Sequence, residues 1–409
     1  MSIAWSRLPP YPAPQRLVDV IFFDAGGGHR TAAMALKASA ERQRRDWRVR
    51  MVNLREVLEP IDLISRVTGV QIENVYNAIL KYGLTVGSGA MLRTTQALIR
   101  RLHPYQVALL ARFWERPAPD LVVSLIPNFN RAILEGLRAA DTNMQRVSAP
   151  MVTIMTDLAD YPPHFWIESQ PQYLICGTQF AVQQALRMGH SPQRVFRASG
   201  MIVRPGFYEP AGISRAAARR RIGLEPDVLT GLVMFGGYGS RRMATIAARV
   251  AAAGLKTQLV FICGHNQQLR DQLTAMRLPF PHHIEGFTPD IAEFMRLADF
   301  FIGKPGPGSI SEALVMGLPL IVERNALTMV QERYNTQWIA EHGLGLVLRS
   351  FSEIAAAVER MQNPAQLNGF RARVGALENR AVFEIPEILE LLMAGRPNDL
   401  RAGAEASVN

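Results

Sequence analysis

Cysteine is nearly missing from this chain: there are two in 409 residues, Cys176 and Cys263. They stand far apart, each inside an apolar run. That excludes a disulfide framework and a zinc-ligand spacing, and predicts two buried thiols in a reducing compartment. No apolar stretch approaches the roughly 18 residues that a membrane-spanning helix needs. The start, Met1 to Arg16, is broken by Pro9, Pro10, Pro12 and Pro14 and lacks the apolar segment of a secretory signal. Asp-x-Asp occurs nowhere, which leaves no obvious carboxylate pair for a divalent ion. The chain also lacks an RNP-type aromatic pattern and a basic tail, so a nucleic-acid binder is a weak reading.

What the chain does have is a globular composition: 48% apolar and 20% charged residues. Its length suits two or three domains. The formal net charge of +10 favours an anionic partner: nucleic acid, an acidic lipid surface or a phosphorylated substrate.

Short apolar or β-branched runs alternate with amphipathic segments, the pattern of parallel α/β sheets. Strands are predicted at Leu17 to Phe23, Val49 to Val52, Leu121 to Ile126, Met151 to Met155 and Tyr173 to Cys176. A Pro- and Gly-bearing stretch, residues 203–210, reads as a linker, after which the pattern restarts. Further strands are predicted at Gly231 to Phe235, Gln258 to Cys263, Phe300 to Ile302 and Leu320 to Val322. This gives two Rossmann-like units, 1–203 and 204–380, followed by a helix and tail at 381–409. Residues 57–117 lack strands and read as a helical insertion in the first unit. Arg100, Arg101 and Arg112 there accompany Leu109, Leu110, Phe113 and Trp114. The mixture fits an interfacial membrane segment or an ordinary core helix with a basic edge.

Three loops carry candidate chemistry. Asp24-Ala25-Gly26-Gly27-Gly28-His29 follows the first strand and enters a helix. It is not the G-x-G-x-x-G dinucleotide fingerprint. His29 is placed to act as a general base tuned by Asp24, or to cap the helix. Phe235-Gly236-Gly237-Tyr238-Gly239-Ser240 occupies the equivalent point of the second unit and suits a phosphate. Gly303-Lys304-Pro305-Gly306-Pro307-Gly308-Ser309-Ile310-Ser311-Glu312 again joins strand to helix. Its Gly306 and Gly308 leave N–H groups open to an anion, and Ser309 can cap the helix. Glu312 suits two vicinal hydroxyls such as those of ribose, or closes a capping box with Ser309.

These loops, with Met201-Ile202-Val203-Arg204-Pro205, Phe261 to Asn266 and Gly286-Phe287-Thr288, resemble the monogalactosyldiacylglycerol synthase family. They also resemble the related transferase that adds N-acetylglucosamine to the peptidoglycan lipid precursor. The resemblance spans about residues 17 to 345. It implies a GT-B architecture, with acceptor in the first domain and nucleotide sugar in the second. His29 and Asp24 would then lie at the transfer site, with Gly27, Gly28, Asp157 and His164 on the acceptor side. On the donor side it places Arg204 at the diphosphate, Glu312 at the ribose and Gln331-Glu332 at sugar hydroxyls. Gly236, Gly237, Ser240, Phe287, Gly306, Gly308 and Ser309 complete that side. Plant galactolipid synthases carry a histidine in the segments matching Leu125 to Asn128 and Thr156 to Leu158. Here Ile126 and Pro162 stand there, and His164, two places on, is the substitute.

The implied activity is inverting transfer of galactose or glucose from a UDP-sugar to diacylglycerol or a similar lipid. It would need no metal or other cofactor, at the cytoplasmic face of a membrane with anionic lipid. An N-acetylglucosaminyl transfer to a polyprenyl lipid and a UDP-sugar 2-epimerase are the alternatives.

Overall fold

The computed structural model describes residues 15–24, 28–59 and 99–395. Two parallel six-stranded sheets account for its strands. The first contains β1 (Arg16–Phe22), β2 (Trp47–Asn53), β3 (Leu121–Ser124), β4 (Met151–Ile154), β5 (Tyr173–Cys176) and β6 (Val195–Arg197), in the order β2-β1-β3-β4-β5-β6. The second contains β7 (Thr230–Met234), β8 (Gln258–Ile262), β9 (His282–Glu285), β10 (Phe300–Gly303), β11 (Leu320–Glu323) and β12 (Gly345–Leu348), in the order β12-β11-β10-β7-β8-β9. Every predicted strand is present. The three additional ones, β6, β9 and β12, are all sheet edges. An edge strand is covered incompletely and needs no unbroken apolar run: β9 is His-His-Ile-Glu, half-buried throughout.

The central strands β3, β4, β7, β8, β10 and β11 are buried at every position. Gly231 in β7 sits opposite Phe300 in β10. A Cβ on Gly231 would lie 2.7 Å from the Phe300 ring, so the glycine makes room for an aromatic between strands.

The helices that bear on function are α1 (Gly28–Arg42), α2 (His103–Glu115), α3 (Asn130–Asn143), α4 (Pro307–Val315), α5 (Val330–Glu341) and α6 (Ala381–Met393). Of the expected insertion at 57–117, residues 60–98 lie outside the described residues. Its C-terminal part is α2, which precedes β3 and packs on α3. A Cβ on Gly136 of α3 would lie 2.5 Å from Leu110 Cβ, so these helices touch because a glycine lets them. Leu110 and Trp114 are fully buried. The Trp114 indole donates to Asp19 Oδ2 (2.8 Å), a buried carboxylate that also accepts two bonds from Arg50 at 2.7 and 2.6 Å. Leu110 and Trp114 are therefore core residues, which decides for the core helix of the two readings the sequence left open. What α2 does expose is a stripe of Tyr105, Ala108 and Arg112, at the spacing of one helix face, with Arg101 exposed just before the helix begins.

The chain crosses between the units twice. At 203–210, Val203 and Phe207 are buried in the second unit's core, and Arg296 donates to the carbonyls of Gly206 and Glu209 at 3.0 and 2.6 Å. The chain then returns as α6, which lies on the first unit. Ala381, Ile385, Leu389 and Leu392 share a core with Val18, Val20, Leu36 and Ala40. Glu390 accepts from Arg16 (2.9 Å) and from the Trp47 indole (2.8 Å). Each such buried aliphatic side chain contributes about 1.5–3 kcal/mol, so α6 is an integral layer of the first unit. Across the cleft, Phe180 of the first unit stacks on Tyr334 of α5, with ring centroids 4.5 Å apart. Among the described residues no helix is long and apolar enough to cross a membrane. Both cysteines are free and buried as expected.

Candidate functional site

Open α/β sheets bind ligands at the carboxyl edge, where strand order reverses direction. In the first sheet that point lies between β1 and β3; in the second it lies between β7 and β10. The loops singled out from the sequence leave the sheets at these two points.

At the first point, His29 occupies the opening turn of α1. Its Nδ1 lies 3.4 Å from Thr156 Oγ1, and its ring bonds the Leu125 main chain. The Trp166 ring stands 6.0 Å away, centroid to centroid. Desolvation lowers the His29 pKa to about 4, so the imidazole is neutral at physiological pH. The Trp166 indole donates to Asp157 Oδ2 at 2.8 Å. Burial raises the Asp157 carboxyl to about 7.

The expected Asp24–His29 pairing is not what the structure holds. Asp24 is exposed, and its oxygens accept from Arg30 (3.2 Å) and Asn53 (3.4 Å). Asn53 ends β2, opposite Phe22, so Asp24 points toward the far side of β1, away from the switch point. The groups against His29 are the Thr156 hydroxyl and Trp166, neither of which the sequence reading picked out. Gly27 lies outside the described residues. Gly28 opens α1 with nothing within 4 Å of an added Cβ. His164 is exposed, with φ of 63°, and its N–H donates to the buried Asp160 (2.9 Å), which also holds the Trp166 N–H (2.6 Å).

At the second point, Gly236 and Gly239 turn the loop with φ of 75° and 58°, values that favour glycine. The Gly237 carbonyl accepts from His265 N–H at 2.8 Å. Ser240 Oγ accepts from Arg242 N–H at 3.3 Å, so this serine is engaged at the start of the following helix. Beside this loop Phe287 stacks on His265 at 4.0 Å. Phe287 and Tyr238 are 60% and 63% exposed, an aromatic surface open to a planar ligand.

The third loop overturns one expectation. The residue capping α4 is Gly306, and Pro307 is the first helical residue, as a proline at that position favours. Ser309 therefore lies inside the helix and caps nothing, so the Ser309–Glu312 capping box does not exist. Glu312 approaches Arg204 Nε at 3.8 Å instead. Its side chain is only 15% exposed, and burial raises its pKa to about 7 against the pull of Arg204. Arg204 also donates to the Pro289 carbonyl at 3.0 Å and covers the Phe207 ring. Glu332 is buried and accepts from Lys304 Nζ at 3.0 Å. Gln331, half-buried beside it at the start of α5, contacts Met329. Among the described residues no group of three or more His, Cys, Asp or Glu is placed to hold a metal ion.

Residues 232–369 match the glycosyltransferase family 28 C-terminal domain. Over 368 residues the chain is 27% identical to monogalactosyldiacylglycerol synthase, chloroplastic, of Spinacia oleracea, covering 86% of this chain and 67% of that one. It is 26% identical over 362 residues to monogalactosyldiacylglycerol synthase 1 of Arabidopsis thaliana, covering 85% and 64%. The chain thus spans about two thirds of the length of these relatives. The crystal structure of MurG from Acinetobacter baumannii shares the fold, with a TM-score of 0.53 at 12% identity over 92% of this chain and 99% of that one. The two units facing each other across the site are thus the GT-B architecture, and the chain is a relative of the monogalactosyldiacylglycerol synthases.

Proposed function

We propose that the chain is a UDP-sugar-dependent hexosyltransferase that moves galactose or glucose to diacylglycerol or a similar lipid, with inversion at the anomeric carbon. The observation that carries this reading is the facing of two switch points. One holds a neutral histidine, and the other holds glycine loops, Arg204 and an uncapped Glu312. The relatives' names supply the lipid and the hexose.

In the proposed reaction an acceptor hydroxyl oxygen forms a bond to the anomeric carbon as the bond from that carbon to the UDP oxygen breaks. His29 takes the hydroxyl proton. With a pKa near 4 it is a weak base, but one that is unprotonated throughout the physiological range. The departing diphosphate gathers charge, which Arg204 and the N–H groups at residues 236–240 and 306–309 stabilise. Glu312 accepts the two ribose hydroxyls, which replace the water lost on burial. Phe287 offers its exposed face to the base, and Gln331 with Glu332 meets sugar hydroxyls. With cationic side chains available for the leaving group, we expect turnover without added divalent metal.

The acceptor is insoluble, so the enzyme works at a membrane surface, in this proposal the cytoplasmic face with its anionic lipid. Exposed Arg100, Arg101 and Arg112 would each add up to ~1 kcal/mol there. Tyr105, 58% exposed between them, takes the place of the buried Trp114 as interfacial aromatic.

The test is mass spectrometry of lipids after incubating the protein with diacylglycerol vesicles and UDP-galactose or UDP-glucose. A hexosyl-diacylglycerol is expected from one donor. Product only from UDP-N-acetylglucosamine on a polyprenyl acceptor would replace this reading, as would epimerisation of a donor without any acceptor.

A further inference from the structure

Lys304 is a cation at the second switch point to which neither the sequence motifs nor the mechanism above assigns a role. It is the first residue after β10, and Gly303 brings it there: a Cβ on Gly303 would lie 2.4 Å from the Met234 carbonyl of β7. The two strands therefore close up at their ends, and Lys304 emerges beside the Gly236 loop. Its side chain passes between the glycine loops. A Cβ on Gly306 would lie 3.2 Å from Lys304 Cε, and one on Gly236 would lie 3.8 Å from it. Glycine at both places leaves the lysine its channel.

The ammonium group meets Glu332 at 3.0 Å, and the lysine side chain as a whole remains 38% exposed. Glu332, and more distantly Asp157 from the opposite unit, hold its pKa above the usual lysine value, so the charge persists. An ammonium has three donors, and the bond to Glu332 uses one.

We propose that Lys304 ligates the diphosphate of the donor, at the junction of the Gly236 and Gly306 loops. The assignment rests on the UDP-sugar reading above and adds a residue to it. The geometry also explains why Glu332 is buried under the lysine: it fixes the ammonium between the loops before the anion arrives. Asp157 reaches the same charge from the acceptor side, so a bound diphosphate would draw on a cation shared by both units. Phosphate is the matching ligand, since a compact ammonium point charge beside open backbone N–H groups is a recurrent phosphate site.

The experiment is calorimetric titration of the full chain with UDP, UMP and uridine, using wild type, Lys304→Gln, Lys304→Arg and the double variant Lys304→Gln/Glu332→Gln. The double variant leaves no orphaned carboxylate, so it keeps the test alive if Lys304→Gln alone fails to fold. Loss of a charge-assisted bond predicts at least about tenfold weaker UDP binding in both Gln variants, with uridine changed less than about twofold and part of the loss recovered by arginine. Unchanged UDP affinity in the folded double variant would overturn the assignment. So would equal losses for UDP and uridine, which mark a structural role. A wild-type protein that binds none of the three ligands would overturn the donor-site reading itself, and this assignment with it.

Discussion

The ends of β1 and β7 are equivalent places in two sheets of the same topology, yet they are furnished in opposite ways. Around His29 stand a hydroxyl, an indole and a main-chain group, and burial strips the imidazole of its proton. Around Gly236 and Gly306 stand Lys304 against Glu332 and Arg204 against Glu312. The topology fixes where a ligand can sit, whereas the loops decide what it can be. The uncharged groups against His29 suit a neutral hydroxyl, and the cations among the glycine loops suit a phosphate.

The sharpest way to break this division is His29→Ala. Turnover should fall by about 10²–10⁴-fold, the usual worth of a positioned base, while UDP affinity stays within about twofold. Turnover near wild type under saturating donor would remove His29 from the chemistry. Asp24→Asn should have a far smaller effect, because Asp24 faces Arg30 and Asn53.

Glu312→Ala tests the other half. Losing two hydrogen bonds of about 1 kcal/mol each should weaken both UDP and uridine by about 10- to 100-fold. The thermal midpoint should not fall with it, since no cap is lost. Retained affinity with a lowered midpoint would make Glu312 structural.

The pH dependence follows from the same residue. The folded-state pKa of Glu312, about 7, exceeds its ordinary 4.5, so the folded protein holds that proton more tightly. The resulting stability is fully present below about pH 4.5 and is lost as pH rises toward 7. Glu312→Gln should therefore match wild type in melting temperature at pH 4.5 and exceed it at pH 8. Parallel melting curves across that range would contradict the burial argument. Because His29 stays neutral down to about pH 4, loss of activity between pH 7 and 5 should trace to the carboxyls and not to the histidine.

The smallest effect concerns charge on the outside of the first unit. Arg100, Arg101 and Arg112 changed together to glutamate should reduce sedimentation with phosphatidylglycerol vesicles at low salt, by up to ~1 kcal/mol for each removed charge. Melting temperature should hold, because all three are exposed. Equal sedimentation would mean that lipid is met elsewhere on the surface.

Much of this architecture is legible in the residues. Strands covered on both faces must be apolar without interruption, as Leu121 to Ser124 and Gln258 to Ile262 nearly are, and all such strands were predicted. Edge strands such as Val195–Arg197 escape because one flank is open to water. Loops at the ends of β1, β7 and β10 were also legible, since glycine runs after apolar runs have few other uses. Orientation was not. Asp24 is five residues from His29 in sequence, yet it points the other way once β1 has ended. The capping box failed against a signal that was present, Pro307, whose fixed φ favours the first helical position. Lys304 was visible in the strongest motif, but its role depends on how closely two glycine loops approach, a distance no spacing encodes. In α2, basic and bulky residues fitted two readings, and the buried Asp19–Trp114 bond decides for the core.

The return of α6 to the first unit makes that unit discontinuous in the chain, with a consequence for biosynthesis. A ribosome delivers β1 to β6 and α1 early, but the helix that covers Val18, Val20 and Leu36 emerges only after the entire second unit. At ~5–20 residues per second, that delay is on the order of tens of seconds. The second unit can close its core while still tethered to the ribosome. The first unit must wait with an apolar face uncovered, so the order of synthesis makes the second unit the template against which the first is completed.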